Sequence, residues 1–119
     1  MDNSTRSIGN FGEDIATRYL EARDFKIVER NYYAKKLGEI DIIAHKENTL
    51  HFIEVKSGDT GYDPVYNVTP SKIKKIINSA YYFMKERKLD LPFSIDALII
   101  RKGEVSDTRD RKDTPQISH

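Results

Sequence analysis

Residues 38–56 read "GEIDIIAHKENTLHFIEVK", from Gly38 to Lys56, and they decide the fold. Apolar side chains alternate with charged ones from Ile40 to His45 and again from Thr49 to Lys56, the period-two pattern of strands with two distinct faces. Glu47-Asn48 is a two-residue turn between them, so the two runs form an antiparallel hairpin. With that turn residue 46 faces residue 49, and Asp41 lies directly across from Glu54. Lys56 follows Glu54 by two and shares its face. Cβ atoms directly opposite stand roughly 4.5 to 5.5 Å apart, so three charged groups converge on one side of a hairpin whose neighbours are apolar enough to be core.

Like charges opposed on a sheet destabilise it, and a buried carboxylate without a partner either costs several kcal/mol or takes up a proton. Lys56 offsets one negative charge. A divalent cation held by Asp41 and Glu54 offsets both, and an all-oxygen donor set suits Mg²⁺ or Mn²⁺ rather than zinc. A plainer reading stands beside this one: Asp41 caps a turn, and Glu54 with Lys56 forms an edge ion pair of the kind that contributes little.

Outward from the hairpin, Phe11, Ile15, Tyr19 and Ala22 recur at helical spacing, with Ala16 and Leu20 widening the stripe, which predicts an amphipathic helix from Asn10 to about Arg23. Glu13 follows Asn10 by three, as in a capping box, and also shares a helix side with Ala16 and Leu20, which tilts it toward the core. "FKIVERNYY", residues 25–33, is β-branched and aromatic and reads as a strand. After a Gly/Asp/Pro-rich loop, Thr69-Pro70 opens a helix to about Arg87 whose apolar side is Ile73, Ile76, Ile77, Ala80 and Met84. Lys72, Lys75, Ser79 and Tyr82 fall on the rest of its surface. "FSIDALII", residues 93–100, is a nearly continuous apolar run of the type buried on both sides of a sheet. The order α-β-β-β-α-β predicts an α/β fold with a mixed central sheet flanked by helices. Residues 1–101 are read as one domain and 102–119 as a polar C-terminal tail that frays.

The chain has 119 residues, no Cys, 20 Lys+Arg and 19 Asp+Glu, for a net charge of +1. Absence of Cys removes disulfides, thiolate nucleophiles and Cys-type zinc sites, and suits a reducing cytosol. No apolar signal region opens the chain and no run approaches a membrane span, so the reading is a cytoplasmic protein that does not enter a membrane. The charge is unevenly distributed: residues 1–68 carry 9 basic and 12 acidic side chains, whereas residues 69–88 carry six basic ones against Glu86 alone. Lys72, Lys74 and Lys75 are therefore candidates for contact with a polyanion, although a solvated helix face carries the same composition. Tyr62, Tyr66, Tyr81 and Tyr82 near this segment could stack on bases. His45, His51 and His119 have no metal-ligand spacing, and Asp96 reads as a structural hydrogen-bonding residue.

"GEIDIIA" followed by "FIEVK" resembles the PD-(D/E)xK, or restriction-endonuclease-like, nuclease motif. The blocks "FGEDIATRYLEARDFKIVERNY", "GEIDIIA", "FIEVK" and "TPSKIKKIINSAYYFM" leading into "FSIDALII" together resemble the YraN-type (UPF0102) family over residues 8–101. What that resemblance implies is a fold similar to archaeal Holliday-junction resolvases and a metal-dependent nuclease site with Glu13, Asp41, Glu54 and Lys56 at the matching positions. Asp41, Glu54 and the Val55 carbonyl would hold Mg²⁺ or Mn²⁺, and Lys72, Lys74 and Lys75 would meet nucleic acid, with DNA the expected partner. A homodimer is compatible with this reading. The alternative from another class is a nucleic-acid-binding module of the same fold that does not cleave. Two departures stand out: many relatives have a basic residue where this chain has Gly58, and the tail ending in "QISH" lacks the hydrophobic segment that the resemblance leads one to expect.

Overall fold

The computed structural model describes residues 11–57 and 69–106. In chain order these form helix α1 (Phe11–Glu21), strands β1 (Lys26–Tyr33), β2 (Glu39–Lys46) and β3 (Thr49–Ser57), helix α2 (Pro70–Glu86), and strands β4 (Phe93–Arg101) and β5 (Glu104–Ser106). Among the described residues the strands make one five-stranded sheet in the order β1-β2-β3-β4-β5. Only the β3–β4 pair is parallel, so the sheet is mixed, as the element order predicts.

Local chemistry accounts for the element boundaries. Glu47 and Asn48 both adopt positive φ, 50° and 63°, as a type I′ hairpin requires, and the expected register runs from Lys46↔Thr49 to Ile42↔Ile53. The Thr69 hydroxyl accepts from the Lys72 amide at 3.2 Å and Pro70 opens α2, which places that helix where the sequence puts it. Both helices close near their expected ends, and neither uses glycine to do so. Asp24 and Lys88 take the left-handed conformation instead, with φ of 69° and 55°. The Phe25 amide then donates to the Leu20 carbonyl and the Leu89 amide to that of Met84, closing each helix. Asn10, the expected start of α1, lies outside the described residues.

The two helices cover opposite faces. On one, Tyr32, Ile40, Ile43, Leu50 and Phe52 pack against Ile76, Ala80, Phe83 and Met84 of α2. On the other, Ile42, Ala44, Ile53, Leu98 and Ile100 pack against Ala16 and Leu20 of α1, with Phe25 in the same cluster. Strand β4 is apolar toward both sides: Phe93 and Ile95 join the first cluster, and Leu98 and Ile100 the second.

Two expectations are corrected. Of the expected apolar side of α2, Ile76, Ala80 and Met84 are buried as read, but Ile73 and Ile77 are only half-buried and Ser79 and Phe83 complete the interior. The rotation is set by Phe83, fully buried, whose ring meets Tyr32 and Phe52 edge-on with centroids 5.0 and 5.9 Å apart. Burying a small side chain at position 79 also admits the Gly38 backbone: a Cβ on Gly38, itself at φ 133°, would sit 3.7 Å from Ser79 Oγ. The second correction concerns the segment read as a fraying tail. Lys102 and Gly103, at φ 53° and 78°, make a tight turn into β5, which pairs with β4 from Arg101↔Glu104 to Ile99↔Ser106. Val105 packs on the α1 side, which holds this short strand in place. Residues 107–119 lie outside the described residues.

Candidate functional site

Asp41 occupies a discontinuity in the sheet. The β2–β3 register ends at Ile42↔Ile53, just before Asp41, while the β1–β2 register continues unshifted through Arg30↔Ile42 and Tyr32↔Ile40, its irregularity lying between Ile27 and Glu29. Regular alternation would place Arg30 and Tyr32 on one face. Instead Arg30 reaches Asp14 of α1 at 2.8 Å while Tyr32 enters the α2 core, because Asn31 between them has φ 53°. The sheet is wrenched at this point. Asp41 therefore does not continue the ladder opposite Glu54 as the register predicts; its Oδ2 accepts from the Val55 amide at 2.8 Å, so a side chain takes the place of a backbone acceptor.

Acids from three elements lie within electrostatic reach of one another here. Glu13 comes from the first turn of α1, Asp41 from β2 and Glu54 from β3. Burial pushes the Asp41 carboxyl up to about 6; the nearby charges of Glu54, Glu13 and Glu39 add to the rise and the Val55 amide opposes it. Burial likewise raises the Glu13 carboxyl, opposed by Arg30 and reinforced by Glu39 and Asp14. Lys56 Nζ lies 2.9 Å from Glu54 Oε2, on the face where the period-two pattern places both. The Glu13 side chain is 13% exposed, and its Oε1 accepts from Asn31 Nδ2 at 2.9 Å with Arg30 Nη2 at 3.7 Å; the capping contact with Asn10 lies outside the described residues. Gly12 lets the helix come this close to β3, since a Cβ there would stand 2.8 Å from Ser57 Oγ.

Sequence reasoning missed Glu39, Arg30 and Asn31. Glu39 had a signal, since it precedes Asp41 by two on the same strand. Asn31 and Arg30 had none, because their role depends on how α1 docks against β1. Lys72, Lys74 and Lys75 are exposed on the first turns of α2, and among the described residues no ion pair joins them to the carboxylates. Gly58, Tyr62, Tyr66 and His119 lie outside the described residues. Tyr81 is exposed and Tyr82 packs partly into the α2 core. Asp96 is a structural hydrogen-bonding residue, as expected: its Oδ2 is 3.0 Å from His51 Nδ1 and 2.9 Å from Ser94 Oγ, tying β3 to β4.

Among the described residues no three His, Cys, Asp or Glu side chains are grouped so that they could hold a metal ion. Two carboxylates from adjacent strands, Asp41 and Glu54, nonetheless have the oxygen chemistry of a hard-cation site, and the Asp41 carboxyl is raised by burial with the charge of Glu54 adding to the rise. Such a set fits Mg²⁺ or Mn²⁺ with the remaining positions taken by water or substrate oxygens.

The chain from residue 12 to residue 100 matches the uncharacterised protein family UPF0102. This chain belongs to the UPF0102 family. Among its relatives, a UPF0102 protein of Sulfurovum sp. is 63% identical over 105 residues, covering 88% of this chain and 93% of the relative. A UPF0102 protein of Wolinella succinogenes is 50% identical over 101 residues (85% and 92% covered), and one of Helicobacter hepaticus is 46% identical over 101 residues (85% and 90%). The UPF0102 match spans α1 through β4, so the acids and Lys56 all fall within it. Among the described residues no helix is long and apolar enough to cross a membrane.

Proposed function

We propose that this UPF0102 chain is a Mg²⁺- or Mn²⁺-dependent nuclease that hydrolyses a phosphodiester bond in DNA. The observation that carries the reading is a half-buried Asp41 just past the end of the β2–β3 ladder, its carboxyl raised by burial and by the nearby charges of Glu54, Glu13 and Glu39, with Glu54 paired to Lys56. A fold stabilised only by packing gains nothing from a half-buried aspartate held against its neighbours' charge. Asp41, Glu54 and the Val55 carbonyl would hold the cation. When bound, that cation supplies Lewis acidity and lowers the pKa of water.

The chain's own residues supply the rest. The Val55 amide keeps Asp41 Oδ2 oriented, so the other carboxylate oxygen is available as a ligand. Lys56 brings a positive charge to the same face as Glu54, suited to orienting an attacking water and to meeting negative charge that builds on a scissile phosphate. Glu13 accepts a proton or orients water from the helix side. Lys72, Lys74 and Lys75 would engage the nucleic-acid backbone outside the reaction centre.

Calorimetry with Mn²⁺ tests the cation step without a substrate. Wild type is expected to give saturable heat that Asp41→Asn loses, and equal heats from both would remove the cation from the reading. Salt dependence tests the lysines. With three to five phosphate contacts, log K against log salt should have a slope of roughly −3 to −4.5 on duplex DNA, and Lys72→Ala with Lys75→Ala should lower its magnitude by up to about 2. Binding indifferent to salt and to both lysines would take nucleic acid out of the account.

A further inference from the structure

Helix α2 runs past the end of the sheet. Arg87 pairs with Glu29 of β1, the Phe83 ring lies 5.0 Å from that of Tyr32, and Ser79 abuts Gly38 in the connection to β2. From its C-terminus the helix therefore follows β1 toward the residues that come after the strand. Lys72 and Lys75 precede Ser79 by seven and four positions, on its side of the helix and about 10 and 6 Å further along. Ser79 is buried whereas both lysines are exposed, so they overhang the end of the sheet at which β2 begins with Glu39 and Asp41.

The β1–β2 connection presents charge at the same end. Lys35–Leu37 form a 3₁₀ turn that packs on α2, closed by the Ala34 amide on the Gly38 carbonyl at 2.8 Å and the Leu37 amide on that of Ala34 at 2.9 Å. Ala34 is buried beneath the turn, and Lys35 and Lys36 are exposed. Just before it stands Tyr33, 69% exposed and, among the described residues, in contact with no other ring. Tyr33 pairs with Glu39, and since Tyr32 and Ile40 face α2, Tyr33 and Glu39 face the α1 side. Glu39 acts on the carboxyls of both Asp41 and Glu13, so Tyr33 borders the candidate site. The acids there repel phosphate, but the ring offers a flat, uncharged surface that a base accepts, and the lysines beyond it supply charge for a backbone.

We propose that Tyr33 is a stacking platform for an unpaired base of a DNA strand, with Lys35 and Lys36 holding the phosphates of that strand between the candidate site and the start of α2. This rests on the nucleic-acid reading above and names its substrate class: DNA with single-stranded character next to the bond to be cut. A duplex keeps its bases stacked on one another, whereas an unpaired base presents its π face to the ring.

Fluorescence anisotropy in EDTA, with a short single strand and the duplex of the same sequence, tests this without a cation or cleavage. Tyr33→Ala is expected to weaken single-strand binding roughly tenfold and duplex binding less than about twofold, as for loss of one base–aromatic stack. Unchanged duplex binding also shows that the variant is folded. Tyr33→Phe keeps the ring and should stay within about twofold on both DNAs. Lys35→Ala with Lys36→Ala should lower the magnitude of the single-strand salt slope by roughly 1.4. In the wild type, an oligonucleotide carrying iodouracil should photocrosslink to Tyr33, a readout that needs no variant. Wild-type single-strand affinity in Tyr33→Ala, equal losses on the two DNAs, or crosslinks confined to other residues would overturn the platform, and an unchanged salt slope would remove the two lysines from it. A wild type that binds neither DNA overturns it together with the nucleic-acid reading. The Tyr33 pattern without Mn²⁺-dependent cleavage leaves the platform standing and removes only the nuclease; cleavage with binding indifferent to Tyr33 does the reverse.

Discussion

Asp41→Asn is expected to reduce Mn²⁺-dependent DNA cleavage by about a thousandfold, roughly 4 kcal/mol of transition-state stabilisation, while leaving binding near wild type. Asparagine still offers an oxygen to the Val55 amide, so the link that closes the gap between β2 and β3 survives. What disappears is the negative charge at the centre of Glu13, Glu39 and Glu54. A DNA backbone approaching that centre meets less repulsion, so affinity should hold or tighten. Cleavage and gel-shift assays on duplex, single-stranded and four-way-junction DNA check both halves. Salt-dependent binding with no Mn²⁺-dependent cleavage of any of these by the wild type would favour a binding module of the same fold. Weakened binding in Asp41→Asn would instead give this residue a direct part in holding DNA.

The same substitution should stabilise the metal-free protein, by an amount that depends on pH. The folded-state carboxyl of Asp41 is raised to about 6, above its value in the unfolded chain. Below about pH 4 both states carry the proton and Asp41 contributes no difference. As pH rises from about 4 to about 6 the unfolded chain releases its proton first, so wild-type stability falls; above that window the full penalty is present and constant. Asparagine is free of this loss. After allowance for screening by solvent at a partly exposed group, the advantage of Asp41→Asn should grow from near zero at pH 4 to roughly 1–2 kcal/mol at pH 7.5. Urea unfolding of both proteins in EDTA across this range measures it. A variant less stable than wild type by more than about 2 kcal/mol at pH 7.5 would show that the charge anchors an ion-pair network instead.

Much of the frame was legible because it is encoded locally. Period two in residues 40–46 and 49–56, with a turn that accepts two positive φ angles, leaves one register in which the apolar side chains face inward. That register puts Glu54 and Lys56 on one face, and they form an ion pair there. Thr69 and Pro70 mark a helix start through their own backbone chemistry, so α2 begins where the residues say. The burial of Ser79 was not legible, since an apolar stripe defines a helix face only to within the rotation that its largest ring selects. Strand β5 was hidden for a related reason: three residues are too few for a periodic signal, and their place depends on the free edge of β4.

The sequence by itself determined the candidates: two acids and a lysine at hairpin spacing, a third acid early in the first helix, and a basic start to the second. Only the tertiary structure decided how they are arranged. Asp41 leaves the ladder and takes the Val55 amide, Asn31 turns left-handed within β1, and its side-chain amide donates to Glu13 of α1. Periodicity specifies an element and its faces from residues within a few positions of one another, but the carboxylates and the amide that meet here come from α1, β1, β2 and β3. Their encounter depends on where the strand pairing breaks and how the helix docks over the break, and those are settled by packing across the whole sheet.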